Sequence, residues 1–363
     1  MSNTLGNKLR VTVFGQSHAP AIGAVIEGLP AGMKPDMERV RAFMRRRAPG
    51  RDQTSTARRE DDFVEVLSGL NERGETCGAP LAALIRNTDA RWGDYDALRA
   101  APRPGHADFA AWKKFGDARD VRGGGQFSGR LTAPLCFAGA LAIQYLQARG
   151  VAVGAHIARL AGIDDAAADP VAPALPLYAP DAFPVINPER GERMRAAIME
   201  ARRVGDSVGG VVCVMATGLP AGLGEPMFGG VENRLAAALF GIPAVRGVEF
   251  GAGFAAADMR ASAHNDAFIA PAGKIQTATN RHGGALGGIT TGMPVVCRVA
   301  FKPTPTISLP QKTVNLQTKE AVTLAAGGRH DPCIVPRAVP VVEAVTALVL
   351  ADMMLEGANE HGS

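Results

Sequence analysis

Residues 9–30 read LRVTVFGQSHAPAIGAVIEGLP. Leu9 to Phe14 alternates and is rich in valine, the pattern of a half-buried strand. It runs directly into the loop GQSH and then a second apolar stretch, AVIEGLP, so Ser17 and His18 sit at a strand end. From Asp36 the segment DMERVRAFMRRR places Met37, Val40, Phe43 and Met44 on one helical face, with Asp36 as N-cap. Arg45, Arg46 and Arg47 then fall in the last turn, where a helix end favours cations even without a ligand.

Further along, strands and helices mix without strict βαβ alternation. The stretch RGGGQFSGR (122–130) puts three glycines between two arginines, which suggests that something approaches the backbone closely. After it, Thr132 is placed to cap a helix with Pro134 in its first turn, running to Gly150. Residues 164–188 are rich in Ala and Pro and lack a pattern, which predicts a long surface loop. Helices are predicted at 188–203, 231–241 and 338–355, the last one buried, and strands at 208–218, 245–251 and 293–304. No internal repeat occurs, and the class expected is α+β in a single domain spanning residues 1–363.

Composition narrows the function. The 363-residue chain is 47% hydrophobic, enough to build a large core, and its net charge is only +4. No basic block exceeds Arg45–Arg47, which argues against nucleic acid or a polybasic membrane anchor and favours a small anionic ligand. Five scattered cysteines without a C-x-x-C pair argue against a zinc site and a disulfide framework, so no metal is expected. No run reaches the roughly 18 apolar residues of a membrane span and the N-terminus has no apolar signal region; a cytoplasmic location is expected.

Polar residues cluster in loops, where surfaces carry function. GQSH supplies Ser17 and His18; RPGHAD supplies Arg103, His106 and Asp108; RGGGQFSGR supplies Arg122, Ser128 and Arg130; GGRHDPC supplies Arg329, His330 and Asp331, with Arg337 shortly after. Each histidine taken singly reads as a hydrogen-bonded structural residue, Asp331 as a turn former and Asp108 as a helix cap. Together, arginines suit a substrate bearing phosphate and carboxylate, and two histidines titrate near neutrality. No nucleophile elbow appears. The sequence GAGFAA after the strand at 245–251 imitates a dinucleotide fingerprint, but no clear helix follows it, so an NAD(P)-dependent oxidoreductase is a weak alternative.

In this order, the blocks GQSHA (15–19), RPGHAD (103–108), RGGGQFSGR, HGGALGG (282–288), KPTPTISLP (302–310) and GRHDPCIVPRAVP (328–340) resemble the chorismate synthase family. The resemblance implies a carbon–oxygen lyase of the shikimate pathway of aromatic amino acid biosynthesis, converting 5-enolpyruvylshikimate 3-phosphate into chorismate by 1,4-elimination of phosphate. It implies reduced FMN as cofactor, although there is no net redox change: the flavin supplies an electron transiently as phosphate leaves and a C6 hydrogen is removed. It also implies a β-α-β sandwich fold and a homotetramer.

Carried over residue by residue, His18 would be the acid near the departing phosphate and His106 would protonate the reduced flavin. Asp331 would assist removal of the C6 hydrogen. Arg46, Arg130, Arg329 and Arg337 would clamp the anionic substrate. Flavin contacts would come from Gln126, Phe127 and Ser128, from Pro243 and Ala244, from Gly287, from Lys302, Pro303, Thr304, Pro305 and Thr306, and from Arg329. NADPH as flavin reductant is a property of some members only, and no residue here decides it. Departures are Gln16 and Ala19 in the first block, and Gln126 where a similar branch of the family carries His; an arginine of the commoner form aligns with Gln53. They leave open a paralogue that retains flavin and anion binding with altered catalysis, against which the retention of His18, His106 and Asp331 argues.

Overall fold

The computed structural model describes residues 3–50, 54, 62–88, 99–179, 181–325 and 331–357. The opening stretch forms antiparallel strands. β1 (Thr4–Leu5), β2 (Arg10–Gly15), β3 (Ala21–Glu27), β4 (Glu65–Val66) and β5 (Leu81–Arg86) make one sheet in the order β1-β2-β3-β5-β4. Arg10 pairs with Glu27 and Gly15 with Ile22, so the GQSH loop turns the chain back at one end of that sheet. A second antiparallel sheet has the order β7-β6-β8-β10-β9, from β6 (Ala152–Leu160), β7 (Ile163–Asp164), β8 (Gly210–Thr217), β9 (Val245–Phe250) and β10 (Val295–Phe301).

Helices fill the space between the sheets. α1 (Met37–Arg47) starts where Asp36 accepts hydrogen bonds from the backbone N–H groups of Glu38 and Arg39, as its sequence predicts. α2 (Asp108–Phe115) follows the RPGHAD loop. α3 (Thr132–Gln147) packs on the first sheet and α6 (Val335–Gly357) on the second, and the two helices pack on each other. α4 (Pro188–Arg203) and α5 (Val231–Phe240) are as predicted, and α5 packs on α6 and β9. The result is the expected α+β class, two antiparallel sheets around a helical layer.

A helix between two layers must be apolar all round. α3 buries Phe137, Leu141, Tyr145 and Leu146 with its alanines, and α6 buries Val339, Val342, Val345, Leu348 and Leu350. Their contact is close: a Cβ built on Gly139 would stand 2.3 Å from the Ala344 Cβ, so only glycine fits there. α6 is long and apolar enough to cross a membrane, yet it is mostly buried inside the protein. Its two buried acids are partnered. Asp352 accepts the backbone N–H groups of Asn7, Lys8 and Leu9 and pairs with Arg234. Glu343 accepts the N–H of Ala155 and pairs with Arg46.

Two local readings need correction. Thr132 does not cap α3: Leu131 is the N-cap residue, and the Thr132 hydroxyl instead donates to Gly129 O at 2.6 Å and accepts from Arg47 Nε at 3.2 Å. The described part of 165–187 has no helix or strand but is not wholly superficial. Asp165, Phe183 and Val185 are buried, and Asp165 accepts the N–H groups of Ile186 and Asn187.

Candidate active site

One cavity of about 790 Å³ gathers loops from distant parts of the chain. Ser17 and His18 enter from the β2–β3 turn, Arg103 and His106 from the RPGHAD loop, and Gln126, Phe127, Ser128 and Arg130 from the glycine-rich loop. Pro243, Ala244 and Arg246 come from the start of β9, Lys302, Thr304, Pro305 and Thr306 from the end of β10, and Asp331 and Arg337 from the entry to α6. Arg47 reaches it from the end of α1.

The glycine triplet makes room for His18. Gly123 has φ +63°, and a Cβ there would lie 2.5 Å from His18 Cε1 and 2.9 Å from Ser17 Oγ. Behind the ring, Ser17 Oγ lies 3.0 Å from His18 Nδ1 and donates to Arg122 O at 3.3 Å. With its proton on that carbonyl, Ser17 accepts from Nδ1–H of His18. Arg122 itself pairs with Asp120 and does not line the cavity, unlike its neighbours in the loop.

The cations are held by buried carboxylates. Asp62 is fully buried and receives Arg47 Nη1 at 2.6 Å on one oxygen and Arg130 Nη1 on the other. Burial opposes its ionisation, but the two guanidinium groups outweigh that and hold the Asp62 carboxyl below its ordinary range. Arg47 also donates to Gly129 O, and Arg130 donates to Asn87 Oδ1. Arg337 donates to Asp331 Oδ2 at 2.5 Å and to Arg47 O at 2.9 Å. Lys302 donates to Gly105 O, and burial, then the nearby Arg246, lowers its pKa. Among the described residues Asp331 is the sole carboxylate lining a wall that carries Arg47, Arg103, Arg130, Arg246, Lys302 and Arg337. Such a cavity suits a ligand with several negative charges.

The chemistry of that wall agrees with similarity along the whole chain. A family model described as chorismate synthase matches residues 9–355. The chain belongs to the chorismate synthase family. A chorismate synthase of Korarchaeum cryptofilum is 47% identical over 357 residues, covering 96% of each chain. One of Archaeoglobus fulgidus is 49% identical over 359 residues, covering 97% of each. A solved structure titled "Crystal Structure of Chorismate Synthase" matches with a TM-score of 0.72 at 28% identity, covering 97% of this chain and 93% of the other. This chain is accordingly a carbon–oxygen lyase that converts 5-enolpyruvylshikimate 3-phosphate into chorismate and phosphate.

Not every residue implied by resemblance to chorismate synthases reaches the cavity. Arg46 turns away: its guanidinium grips Glu343 at 2.6 and 2.9 Å, donates to the Tyr178 hydroxyl, and lines a separate cavity of about 160 Å³. Glu343 is buried mid-helix and needs a cation, which is why α1 presents Arg46 to it and Arg47 to the active site. Gly287 lies on the Ala285–Thr290 hairpin near α5, and neither it nor Pro303 lines the cavity. Arg329, His330 and Gln53 fall outside the described residues. Asp62 and Arg246 carry no motif in the sequence. The signal for Arg47 was its place in the α1 arginine run, and Asp62 has none within its own neighbourhood. The GAGFAA lookalike runs into a 3₁₀ turn at Gly253–Asp258, and both five-stranded sheets are antiparallel, so no dinucleotide-binding βαβ unit exists there.

Proposed function

We propose that the 790 Å³ cavity holds the phosphorylated dicarboxylate substrate together with reduced FMN, and that its residues divide the work as follows. His18, backed by Ser17, is the acid facing the departing phosphate. His106 exchanges a proton with the cofactor, and Asp331 assists removal of the C6 hydrogen. Arg130 and Arg337, with Arg47 in the position expected of Arg46, clamp the anions and hold their charge at any working pH. Arg329 keeps the substrate and flavin roles that the family resemblance gives it.

The residues present fit FMN. Thr304 Oγ1 is buried in the cavity wall without a hydrogen-bond partner among the described residues, a donor waiting for an acceptor. Gly129 has open space where a side chain would stand, which allows close approach, and the half-exposed ring of Phe127 offers an apolar face. Gln126, Phe127, Ser128, Pro243, Ala244, Lys302, Thr304, Pro305 and Thr306 would hold it. When bound, reduced FMN supplies an electron transiently to the substrate while phosphate leaves. The protein positions both ligands, neutralises their charge and keeps water out.

The carrying observation is that two histidines, one carboxylate and the cation set converge on one cavity from seven separate segments. The test is an anaerobic assay with substrate and chemically reduced FMN, with and without NADPH. Chorismate and phosphate should form with pre-reduced flavin alone; no product would overturn the reading. Product from oxidised FMN plus NADPH would add NADPH as the flavin's reductant. We further propose a cytoplasmic homotetramer, supported by large apolar side chains exposed at Met227, Phe228, Phe254, Phe268 and Ile275. Light scattering of the eluting protein checks the mass, and a monomer would rule the assembly out.

A further inference from the structure

His106 is gripped from behind by its own loop. Its Nδ1 lies 2.5 Å from Asp108 Oδ1. Asp108 also receives three hydrogen bonds from Arg103: backbone N to Oδ2 at 3.0 Å, Nε to Oδ2 at 2.8 Å and Nη2 to Oδ1 at 2.8 Å. The second hydrogen of Nη2 goes to Gly123 O at 2.8 Å. Both hydrogens of that nitrogen are thus used, so its approaches to the ring nitrogens at 3.1 and 3.4 Å are contacts of a cation with the ring. Asp108 is not the helix cap that its place suggests: Ala107 is the N-cap residue of α2, and no side chain caps that end.

We propose that Asp108 is the positioning residue of His106: it accepts the Nδ1 proton, fixes the Nδ1–H tautomer and leaves Nε2 as the nitrogen that takes up and releases a proton. The proposal rests on the reading that His106 exchanges a proton during turnover. A carboxylate in this place holds the ring's orientation and stabilises the imidazolium, while the buried guanidinium beside it opposes charging. Arg103 therefore offsets part of what Asp108 does. Burial opposes ionisation of Asp108, but hydrogen bonds from Arg103 and His106 outweigh it, so the carboxyl sits well below its usual range and is an anion at every working pH.

The same pair ties three ligand-facing loops together. Arg103 bonds the glycine-rich loop through Gly123 O and reaches Thr306 Oγ1 at 3.3 Å, while Lys302 returns to Gly105 O. From the other elements around the cavity, Arg47, Arg246, Lys302, Arg130 and Arg337 add positive charge, Asp331 adds negative charge, and His18 is the second imidazole in the wall. These groups act on the imidazole at longer range than the two that touch it, Arg103 and Asp108.

The test uses the full chain labelled with ¹⁵N-histidine, without flavin, and follows the His106 ring by NMR, with His106→Gln for assignment. The wild-type ring should be the Nδ1–H tautomer. In Asp108→Asn its titration midpoint should fall by about one unit or more, because Arg103 is then unopposed, and Asp108→Glu should restore it. The limb of the kcat–pH profile that reports His106 should move the same way. A wild-type Nε2–H tautomer, or an unchanged midpoint in a folded Asp108→Asn protein, would overturn the proposal. The wild-type spectrum decides by itself where the variant does not fold. Full turnover by His106→Gln would instead remove the catalytic reading of His106 and leave the tautomer result standing.

Discussion

Gly123 leaves the space that the His18 ring occupies: a β-carbon there would stand 2.6 Å from His18 Nδ1, on a backbone with φ +63°. Ring and methyl cannot both be accommodated, and the residue is already in the left-handed region that alanine avoids. Gly123→Ala should therefore displace His18 while leaving the core intact. Since a misplacement of about 1 Å can cost roughly 10²-fold in rate, kcat should fall by about that factor with little change in Tm. Steady-state kinetics with thermal melts check it; wild-type kcat would show that His18 tolerates movement.

Arg46 on α1 and Arg337 on α6 should behave differently. Among the described residues, Arg46→Ala leaves Glu343 buried in α6 with only the Ala155 N–H as a donor, and losing one partner of a buried pair costs about 3–5 kcal/mol. The folded fraction should nonetheless keep its KM for substrate. Arg337→Ala, inside the cavity, should raise KM by about 10- to 100-fold, the loss of one charged hydrogen bond. Denaturant melts and initial rates on both variants separate the roles; a large KM effect from Arg46→Ala would return Arg46 to the substrate clamp.

Gln126 lines the cavity where a similar branch of the family carries histidine. An amide donates a hydrogen bond but carries no charge, whereas an imidazolium adds both. Gln126→His should tighten FMN binding as pH falls through about 6.5, by up to about tenfold, and leave it near wild type at pH 8. Quenching of flavin fluorescence across pH measures this. Equal affinity at pH 5.5 and 8 would make the substitution neutral.

Much of this was legible because it is local. The alternation in LRVTVF, the Asp36 cap, and the apolar run of α6 each report their own structure within a few residues. The motif loops likewise announced His18, His106 and Asp331. What was not legible depends on partners far away in the chain. Nothing in the arginine run separates Arg46 from Arg47, because the distinction is made by Glu343, 297 residues later, and by Asp62. Asp62 follows a polar stretch without pattern, and only the fold shows it between Arg47 and Arg130. Asp108 reads as a cap by position; its Arg103 and His106 bonds follow from a loop geometry that sequence does not print.

Asp62 also sets how the site answers to acid. Its carboxyl is held below the value of about 3.9 that it has in the unfolded chain, so at pH values between the two the unfolded chain binds a proton that the folded protein does not. Its contribution to stability is therefore fully present above about pH 4 and is lost as pH falls through the folded value. Asp62→Asn removes the anion and leaves Arg47 and Arg130 buried side by side, which should cost about 3–5 kcal/mol at pH 7. The penalty should shrink toward pH 3, because the unfolded wild-type chain takes up a proton there that the folded protein does not, which lowers the wild-type stability. Urea melts of both proteins at pH 7, 5, 4 and 3 read the difference. A gap that stays constant across that range would mean that Asp62 stabilises the protein through its shape and not through its charge.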